Sequence, residues 1–263
     1  MRSTVLLDTR PGGAWAQGHF EGALDADLER YLSSALEPGF DPVPLGRNPL
    51  PSVEKFCRQL GVWGIGPETT VVAYDGARGD HGACRLWWML KALGHQHVDI
   101  LHGGIPQGRK QGWVWTTDPG AAPEPVVPYP ADQWSWPMVD IDEAEAFALD
   151  PKKALIDVRS PERWRGEVET MDPVAGRIPG STNLPLSLNF DDQGFFRSAP
   201  ELAAAYAAFF EGQDPRGVAV HCGSGVSACA TLYAFDRMGI EGAALYVGSF
   251  SQWCRSGRPL GRG

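Results

Sequence analysis

Cysteine is scarce in this chain. Only 5 cysteines occur among 263 residues, and no two of them form a CxxC pair or a zinc-type spacing. An odd, scattered set of this kind does not build the disulfide framework of small secreted proteins. We therefore expect a cytoplasmic protein with free thiols and no bound metal.

Long hydrophobic runs are absent as well. No apolar stretch approaches the ~18 residues that a membrane-spanning helix needs. The N-terminal segment reaches charged side chains and a Pro-Gly-Gly turn without the apolar core of a signal peptide. We expect no membrane partner.

Positive charge is also in short supply, because the formal net charge is -9 at pH 7. Nucleic-acid-binding domains are typically basic, so this balance argues against a nucleic-acid partner. It does not exclude small anionic substrates, since a local pocket can be positive within an acidic protein.

Apolar material is plentiful, at 43% of the residues, and suffices for a sizeable core. Apolar runs at 154–158 and 217–221 are typical of buried strands, and they alternate with helical segments. Ser52 and Gly61 bracket one such helix. This alternation predicts an α/β fold with a mostly parallel sheet flanked by helices.

The chain also resembles itself at an offset of roughly 150 residues, which is about the size of one domain. The matched segments are 6–10 with 155–159, 18–23 with 176–181, 71–76 with 218–223, 86–94 with 231–239, and 102–104 with 247–249. Two tandem copies of one fold explain this pattern better than one large domain.

A proline-rich stretch, residues 116–137, separates the two copies. It lacks the hydrophobic periodicity of a helix or strand, which predicts a semi-extended linker. We expect the tryptophans around it to pack against a domain. We therefore predict a non-catalytic N-terminal domain over 1–115 and a catalytic C-terminal domain over 138–263.

The most informative local feature is the loop HCGSGVSA, residues 221–228, between an apolar strand and a mostly apolar helix. Its glycines allow a tight curl with inward N–H groups, its serines add hydroxyl donors, and the next helix offers its N-terminus. These groups form an anion cradle that stabilises the thiolate of Cys222, the reactive form of cysteine. The other cysteines within apparent helices are expected to be packed and inert.

Two enzyme classes place a cysteine in such a loop. A cysteine phosphatase needs an arginine six positions after the cysteine, where it binds phosphate oxygens. That position holds Ala228 here, so most transition-state charge stabilisation would be missing. The other class transfers sulfur, and this function is favoured here. Phosphatase activity is kept as a third hypothesis.

The hexapeptide Cys-Gly-Ser-Gly-Val-Ser at 222–227 resembles the active-site loop of two-domain rhodanese-family sulfurtransferases. The resemblance is closest to members that use 3-mercaptopyruvate, with thiosulfate users next. It extends to Asp157 and Arg159, to the turn at 177–180 and to the segment 248–253. It implies two tandem rhodanese-like domains, of which only the second is catalytic; Asp75 holds the cysteine position in the first copy.

The resemblance also implies a double displacement through Cys222. Its thiolate takes the outer sulfur of 3-mercaptopyruvate or thiosulfate, becomes a persulfide, and passes that sulfur to cyanide, a thiol or thioredoxin. Neither a cofactor nor a metal takes part. The loop residues expected to bind the donor are Gly223, Ser224, Gly225, Val226 and Ser227.

Two residues outside the loop match donor-binding positions of the family. Arg165 corresponds to an arginine that binds the donor's carboxylate, and Asp27 to a substrate-side aspartate. The sequence departs from the family in two places, because 167–172 contains no second arginine and Asn48 replaces a histidine. Thiosulfate users tend to carry cations directly after the cysteine, whereas this loop is neutral, and the donor stays open.

Three residues near the loop receive more modest roles. Asp157 and Arg159 are expected to form a structural pair, since the first copy keeps Asp8 and Arg10 without the cysteine. His221 is expected to end the strand rather than act as a base. The alternative function is a non-turnover sulfur carrier or redox-sensing persulfide module, which a reactive thiol would also serve.

Overall fold

The computed structural model describes residues 3–76 and 78–263. These residues group into two compact units. The first consists of Met1–Glu37 and Leu50–Trp136, and the second of Pro38–Pro49 and Pro137–Gly263. The short segment Pro38–Pro49 thus packs with the second unit although it belongs to the first sequence copy.

The first unit contains a four-stranded parallel sheet with the strand order β3-β1-β4-β5. The strands are β1 (Thr4–Asp8), β3 (Ala23–Asp25), β4 (Thr70–Tyr74) and β5 (Val98–Ile100), and β2 (His19–Phe20) forms an antiparallel ribbon with β6 (Trp115–Thr116). The helices are α1 (Leu28–Tyr31), α3 (Val53–Val62), α4 (Gly82–Ala92) and α5 (Gly104–Lys110), with a 3₁₀ turn at Ala14–Gln17.

The second unit contains a five-stranded parallel sheet with the order β7-β11-β10-β8-β9. The strands are β7 (Met138–Val139), β8 (Ala154–Asp157), β9 (Thr182–Asn183), β10 (Val218–His221) and β11 (Ala244–Tyr246). The helices are α2 (Pro42–Leu45), α6 (Ile141–Leu149), α7 (Pro161–Arg165), α8 (Ala199–Phe210), α9 (Ala228–Arg237) and α10 (Ser249–Trp253), with 3₁₀ turns at Leu186–Asn189 and Pro215–Gly217.

Two parallel sheets flanked by helices confirm the predicted α/β class. The internal repeat reappears in the strand register, because Asp8 pairs with Tyr74 in the first sheet and Asp157 pairs with His221 in the second. Each sheet therefore ends on an aspartate at the same edge. Within the described residues, no helix is both long and apolar enough to cross a membrane.

Burial explains why β10 and α9 stand out in the sequence. All four residues of β10 are buried between β8 and β11, and the first eight residues of α9 are buried too. A strand covered on both faces and a helix apolar on most faces lose the periodicity of surface elements. Strand β10 precedes the loop at 222–227 and helix α9 follows it, so the loop has a rigid support at each end.

Helix α3 continues beyond its predicted stop at Gly61. Ser52 caps it as expected, since its hydroxyl accepts a hydrogen bond from the Lys55 N–H at 3.2 Å, but the helix runs to Val62. Gly61 serves close packing instead: a Cβ there would lie 2.8 Å from the carbonyl oxygen of Val126. The lack of a side chain at Gly61 lets the proline-rich stretch pack against the helix. The Val126 N–H also donates to the Gly61 carbonyl at 2.9 Å.

The proline-rich stretch is fixed to the first unit by aromatic contacts. The Trp134 ring lies 5.8 Å from that of Phe56, and the Trp136 ring 5.4 Å from that of Trp87. The Ser135 N–H bonds to the Ala92 carbonyl at 2.7 Å. The tryptophans thus pack as expected, while the predicted domain boundaries stay predictions.

Replacing Gly61 with alanine is expected to destabilise the first unit by about 1–2 kcal/mol. Alanine in a helix normally gains about 1 kcal/mol over glycine, so the expected sign is opposite to the helix preference. The reason is the close approach of Val126, which the new methyl group would displace. Denaturant midpoints of Gly61→Ala and of the exposed neighbour Val62→Ala test this; a Gly61→Ala protein more stable than the parent would contradict it.

Candidate active site

The loop at 222–227 leaves the carboxyl end of β10, the edge at which open α/β folds bind ligands. Its curl depends on Gly225, which has a φ of +75°. A Cβ at this residue would lie 2.3 Å from the Val247 carbonyl oxygen. No residue with a side chain fits there, so the second glycine of the loop is a steric requirement.

Cys222 is held from behind by the start of α10. Its N–H donates to the Ser249 hydroxyl at 3.2 Å, and its carbonyl accepts from the Phe250 N–H at 3.1 Å. Ser249 is the one non-glycine residue in the described chain with a left-handed φ, +53°, and its hydroxyl donates to the Tyr246 carbonyl at 2.9 Å. The two hydrogen bonds of the Ser249 hydroxyl, to Cys222 and to Tyr246, hold Ser249 in this strained conformation. Ser249 in turn fixes the backbone of Cys222.

Several backbone N–H groups of the loop are available to an anion. Across residues 3–76 and 78–263, no protein acceptor takes the N–H groups of Gly223, Ser224, Val226 and Ser227. The N-terminus of α9 adds the positive end of its helix dipole. A run of free amides at a helix start is suited to stabilising a thiolate or a persulfide anion.

The corresponding loop of the first unit already holds an anion. Asp75 follows β4 as Cys222 follows β10, and it is buried. Its carboxylate accepts hydrogen bonds from the N–H groups of Gly79 at 2.8 Å and His81 at 3.1 Å. In this repeat, a loop at this position binds a negative charge through backbone amides.

A cavity of about 350 Å³ opens on the loop. Its lining includes three loop residues, Cys222, Gly223 and Ser227, together with Arg159, Arg163 and Ser187. Cys222 is only 4% exposed, so the cavity is the route by which a donor can reach its sulfur.

The other predicted loop residues have a different placement. Ser224 and Val226 are buried, and neither they nor Gly225 lines the cavity. Side-chain contact with a donor in the cavity is therefore not supported for these three. Gly225 instead shapes the loop, and the backbone of Ser224 and Val226 supplies free amides.

The predicted Arg165 does not line the cavity, whereas Arg163 of the same helix does. Arg163 lines the cavity and donates through Nη2 to Glu169 Oε1 at 2.8 Å. Arg165 does not line it; its Nε bonds to Glu167 at 2.6 Å and its side chain is 38% exposed. Residues two apart on a helix point about 200° apart, so only one of these arginines can face the cavity. Helical phase was the signal in the sequence that could have distinguished them.

Two buried carboxylates gather arginines beside the cavity. Glu169 accepts from Arg163, and Asp172 accepts from Arg47 Nε at 3.0 Å and Arg255 Nη1 at 2.8 Å. Burial opposes ionisation of Glu169, but the bonds from the Met171 N–H and from Arg163 outweigh it and lower the pKa of the carboxyl. The stretch 167–172 does not contain the second arginine that the family carries. Its carboxylates Glu169 and Asp172 instead hold arginines from other segments of the chain.

Asp157 and Arg159 form a structural pair, as expected from the repeat. Arg159 Nη2 donates to Asp157 Oδ2 at 2.7 Å, and Arg10 makes the equivalent bond to Asp8 at 2.5 Å. Burial lowers the pKa of His221, which is therefore neutral at pH 7. Its Nδ1–H donates to the carbonyl of Cys222 at 3.1 Å, because a carbonyl can only accept. This bond makes His221 a support of the strand end.

Asp27 lies in the first unit, where it caps α1. Its carboxylate accepts from the N–H groups of Glu29 at 2.9 Å, Arg30 at 3.2 Å and Gly13 at 2.9 Å. These three bonds give Asp27 a local structural role. Its predicted substrate-side role stays a prediction.

Known proteins resemble this chain over most of its length. The model of the rhodanese-like domain matches residues 1–111 and 140–256. A Pseudomonas aeruginosa protein named as a probable 3-mercaptopyruvate sulfurtransferase is 34% identical over 91% of this chain and 82% of its own. The Mycobacterium tuberculosis protein SseB, provisionally named a thiosulfate sulfurtransferase, is 37% identical over 98% of this chain and 90% of its own.

A solved structure shows the same architecture. The 3-mercaptopyruvate sulfurtransferase from Leishmania major superposes with a TM-score of 0.81 at 27% identity, covering 98% of this chain and 72% of that one. The chain belongs to the rhodanese family, with one rhodanese-like domain in each half. Within that family it is a sulfurtransferase enzyme, which moves sulfur from a donor to a thiophilic acceptor.

Proposed function

We propose that Cys222 carries the transferred sulfur as a persulfide. The observation that supports this most directly is the place of Cys222, at a cavity and on a loop in which four N–H groups, those of Gly223, Ser224, Val226 and Ser227, have no acceptor among the described residues. A thiolate and a persulfide place negative charge at this point, and the amides and the α9 dipole stabilise both. The site thus stays prepared for the anion throughout the cycle.

In the first half-reaction the Cys222 thiolate attacks the sulfur to be transferred, which is the outer sulfur of thiosulfate or the thiol sulfur of 3-mercaptopyruvate. With thiosulfate, the S–S bond breaks and sulfite leaves with the electron pair. With 3-mercaptopyruvate, the C–S bond breaks and pyruvate leaves as its enolate, which then takes up a proton. Either route leaves the transferred sulfur bonded to Cys222; the donor is the oxidant, because its leaving group departs with the electron pair, and no further oxidant or reductant is needed.

In the second half-reaction a nucleophile attacks the outer sulfur of the persulfide. The new bond forms to the acceptor, the S–S bond to Cys222 breaks, and the thiolate is regenerated. Cyanide, small thiols and reduced thioredoxin are the acceptors we propose. The small exposed fraction of Cys222 favours acceptors that can extend a slim nucleophilic group into the cavity.

Arg163 is the residue that we propose holds the donor's anionic end. Both candidate donors are anions, and Arg163 lines the cavity that contains Cys222. Its side chain keeps 21% of its surface exposed while Glu169 fixes its position. A guanidinium held in this way can bind carboxylate or sulfonate oxygens without reorganising.

Mass spectrometry and turnover together test the persulfide. Protein incubated with each donor and desalted should gain the mass of one sulfur atom on the peptide that contains Cys222. Cyanide should then release thiocyanate and restore the original mass. A sulfur adduct that forms once without multiple turnover would favour the carrier function, whereas turnover with no adduct at Cys222 would contradict the proposed mechanism.

A further inference from the structure

A segment of the first sequence copy is built into the second unit beside the reactive cysteine. Gly46, at the end of α2, has a φ of +76°, and a Cβ there would lie 2.5 Å from the Gly248 carbonyl oxygen. The next residue, Arg47, donates its N–H to the Ser251 hydroxyl at 2.9 Å. Ser251 in turn donates its own N–H to the Gly223 carbonyl at 2.8 Å. The backbone of Arg47 is therefore tied to the residue that follows Cys222.

The guanidinium of Arg47 is fixed as firmly as its backbone. Its Nε and Nη2 donate to the two oxygens of Asp172 at 3.0 and 3.3 Å. The Asp172 side chain is fully buried, while Arg47 keeps 21% of its side-chain surface exposed. A bidentate bond to a buried carboxylate leaves the guanidinium little freedom to move.

Arg47 lies directly against Gly223. A Cβ added to Gly223 would be 3.1 Å from Arg47 Nη2 and 3.5 Å from Arg163 Nη2. Two guanidiniums thus lie at the residue after Cys222, with no side chain between them and the loop. Gly223 itself lines the cavity, so their charge acts on whatever binds there.

The side chains around the loop carry one positive charge in excess of their negative charges before Cys222 is ionised, although loop residues 223–227 are themselves uncharged. Four guanidiniums belong to the cluster, and three carboxylates neutralise them only in part. The arginines are Arg47, Arg159, Arg163 and Arg255, and the carboxylates are Asp157, Glu169 and Asp172. This surplus of one positive charge balances the Cys222 thiolate, and the guanidiniums nearest to Gly223 are the ones that an anionic donor meets on its approach.

We propose that Arg47 is a specificity-determining residue that supplies, from outside the loop, the cation lacking at residues 223–225, and that it favours thiosulfate as a donor. Thiosulfate is a dianion and 3-mercaptopyruvate carries a single carboxylate charge, so a guanidinium at a given distance attracts thiosulfate about twice as strongly. This inference rests on the proposed sulfur transfer through Cys222.

The test compares both donors in the full-length enzyme, with cyanide as acceptor. Arg47→Met should lower kcat/KM for thiosulfate by about tenfold or more, mainly through KM, and that for 3-mercaptopyruvate by less than about threefold. Arg47→Lys should retain most of the thiosulfate activity, because it keeps the charge. Arg258→Met is the control: this arginine pairs with Asp142 and Glu145, is not part of the cluster around the loop, and its removal should leave the ratio of the two donors unchanged.

Moving the charge gives a second, independent test. In the double variant Arg47→Ala with Gly223→Arg, the first change makes room for the second, and a guanidinium returns to the loop from residue 223. We expect it to recover thiosulfate activity relative to Arg47→Ala alone. Equal losses for both donors in Arg47→Met, or the same shift of the donor ratio in Arg258→Met, would overturn the inference.

Failure of the inference is distinguishable from failure of the proposed function. Parent enzyme that turns over 3-mercaptopyruvate but not thiosulfate would overturn the role of Arg47 and leave the Cys222 persulfide intact. Parent enzyme that turns over neither donor would contradict the proposed function itself.

Discussion

Cys222→Ser is expected to lower sulfur transfer from either donor by at least about a thousandfold. A serine hydroxyl is not ionised at neutral pH, and a persulfide cannot form on oxygen. The substitution changes one atom of a buried side chain, and the backbone bonds of residue 222 to Ser249 and Phe250 do not depend on the sulfur. The variant should therefore fold normally and bind donors without reacting, which steady-state thiocyanate formation and thermal unfolding together would show.

The matched control for that variant is Cys254→Ser. Cys254 is the one free cysteine of the described chain that is not buried. Burial, together with the nearby Asp172 carboxylate, raises the pKa of its thiol to about 11, so little thiolate is present at pH 7. The Cys254→Ser enzyme should keep its activity and its sulfur adduct. Residual turnover in Cys222→Ser that disappears on further removal of Cys254 would show that the nucleophile was assigned to the wrong residue.

Arg163→Gln is expected to reduce kcat/KM for both anionic donors by about 100-fold. The substitution removes the guanidinium that lines the cavity beside Cys222. Glu169 keeps the hydrogen bonds from the N–H groups of Thr170, Met171 and Asp172, so its loop should stay in place. The loss should concern catalysis rather than stability, and thermal unfolding of the variant is the check on that.

Arg165→Gln provides the comparison within the same helix. This arginine pairs with Glu167 on the surface, and exposed ion pairs contribute little to stability. Its removal should leave the kinetics of both donors almost unchanged. A large kinetic loss in Arg165→Gln with little effect in Arg163→Gln would contradict our proposal for Arg163 and support Arg165, the residue that the family motif predicted.

The two arginines show where reasoning from the sequence reached its limit. The family motif predicted Arg165 as the donor-binding residue, whereas the arginine of this helix that lines the cavity is Arg163, since a match in sequence does not give direction in space. Asp172 shows the same limit for an acidic residue, whose partners could not be predicted from the sequence. The sequence indicated the absence of a second arginine in 167–172, but not that this stretch would hold Arg47 and Arg255 by their guanidiniums.

The fold was easier to predict than the site. The repeated apolar runs and the capped helices specify parallel sheets, because burial on both faces produces continuous apolar strands that local sequence reveals. The early stop assigned to α3 at Gly61 was wrong for the opposite reason. In the sequence, a glycine at this point predicts a helix end. In the structure, the glycine is required by the close contact with Val126, which is 65 residues away in sequence.

The sequence by itself determined the duplicated α/β architecture, the loop that carries Cys222 and the lack of a cation within that loop. These are local properties, set by the order of apolar, small and charged residues along the chain. Only the tertiary structure decided which charges surround the loop. Arg47 and Gly223 are far apart in the chain, and their proximity arises because Gly46 and Ser251 bring Pro38–Pro49 onto the second unit. Electrostatic interaction depends on distance in space, so a loop that carries no cation of its own lies beside the guanidiniums of Arg47 and Arg163.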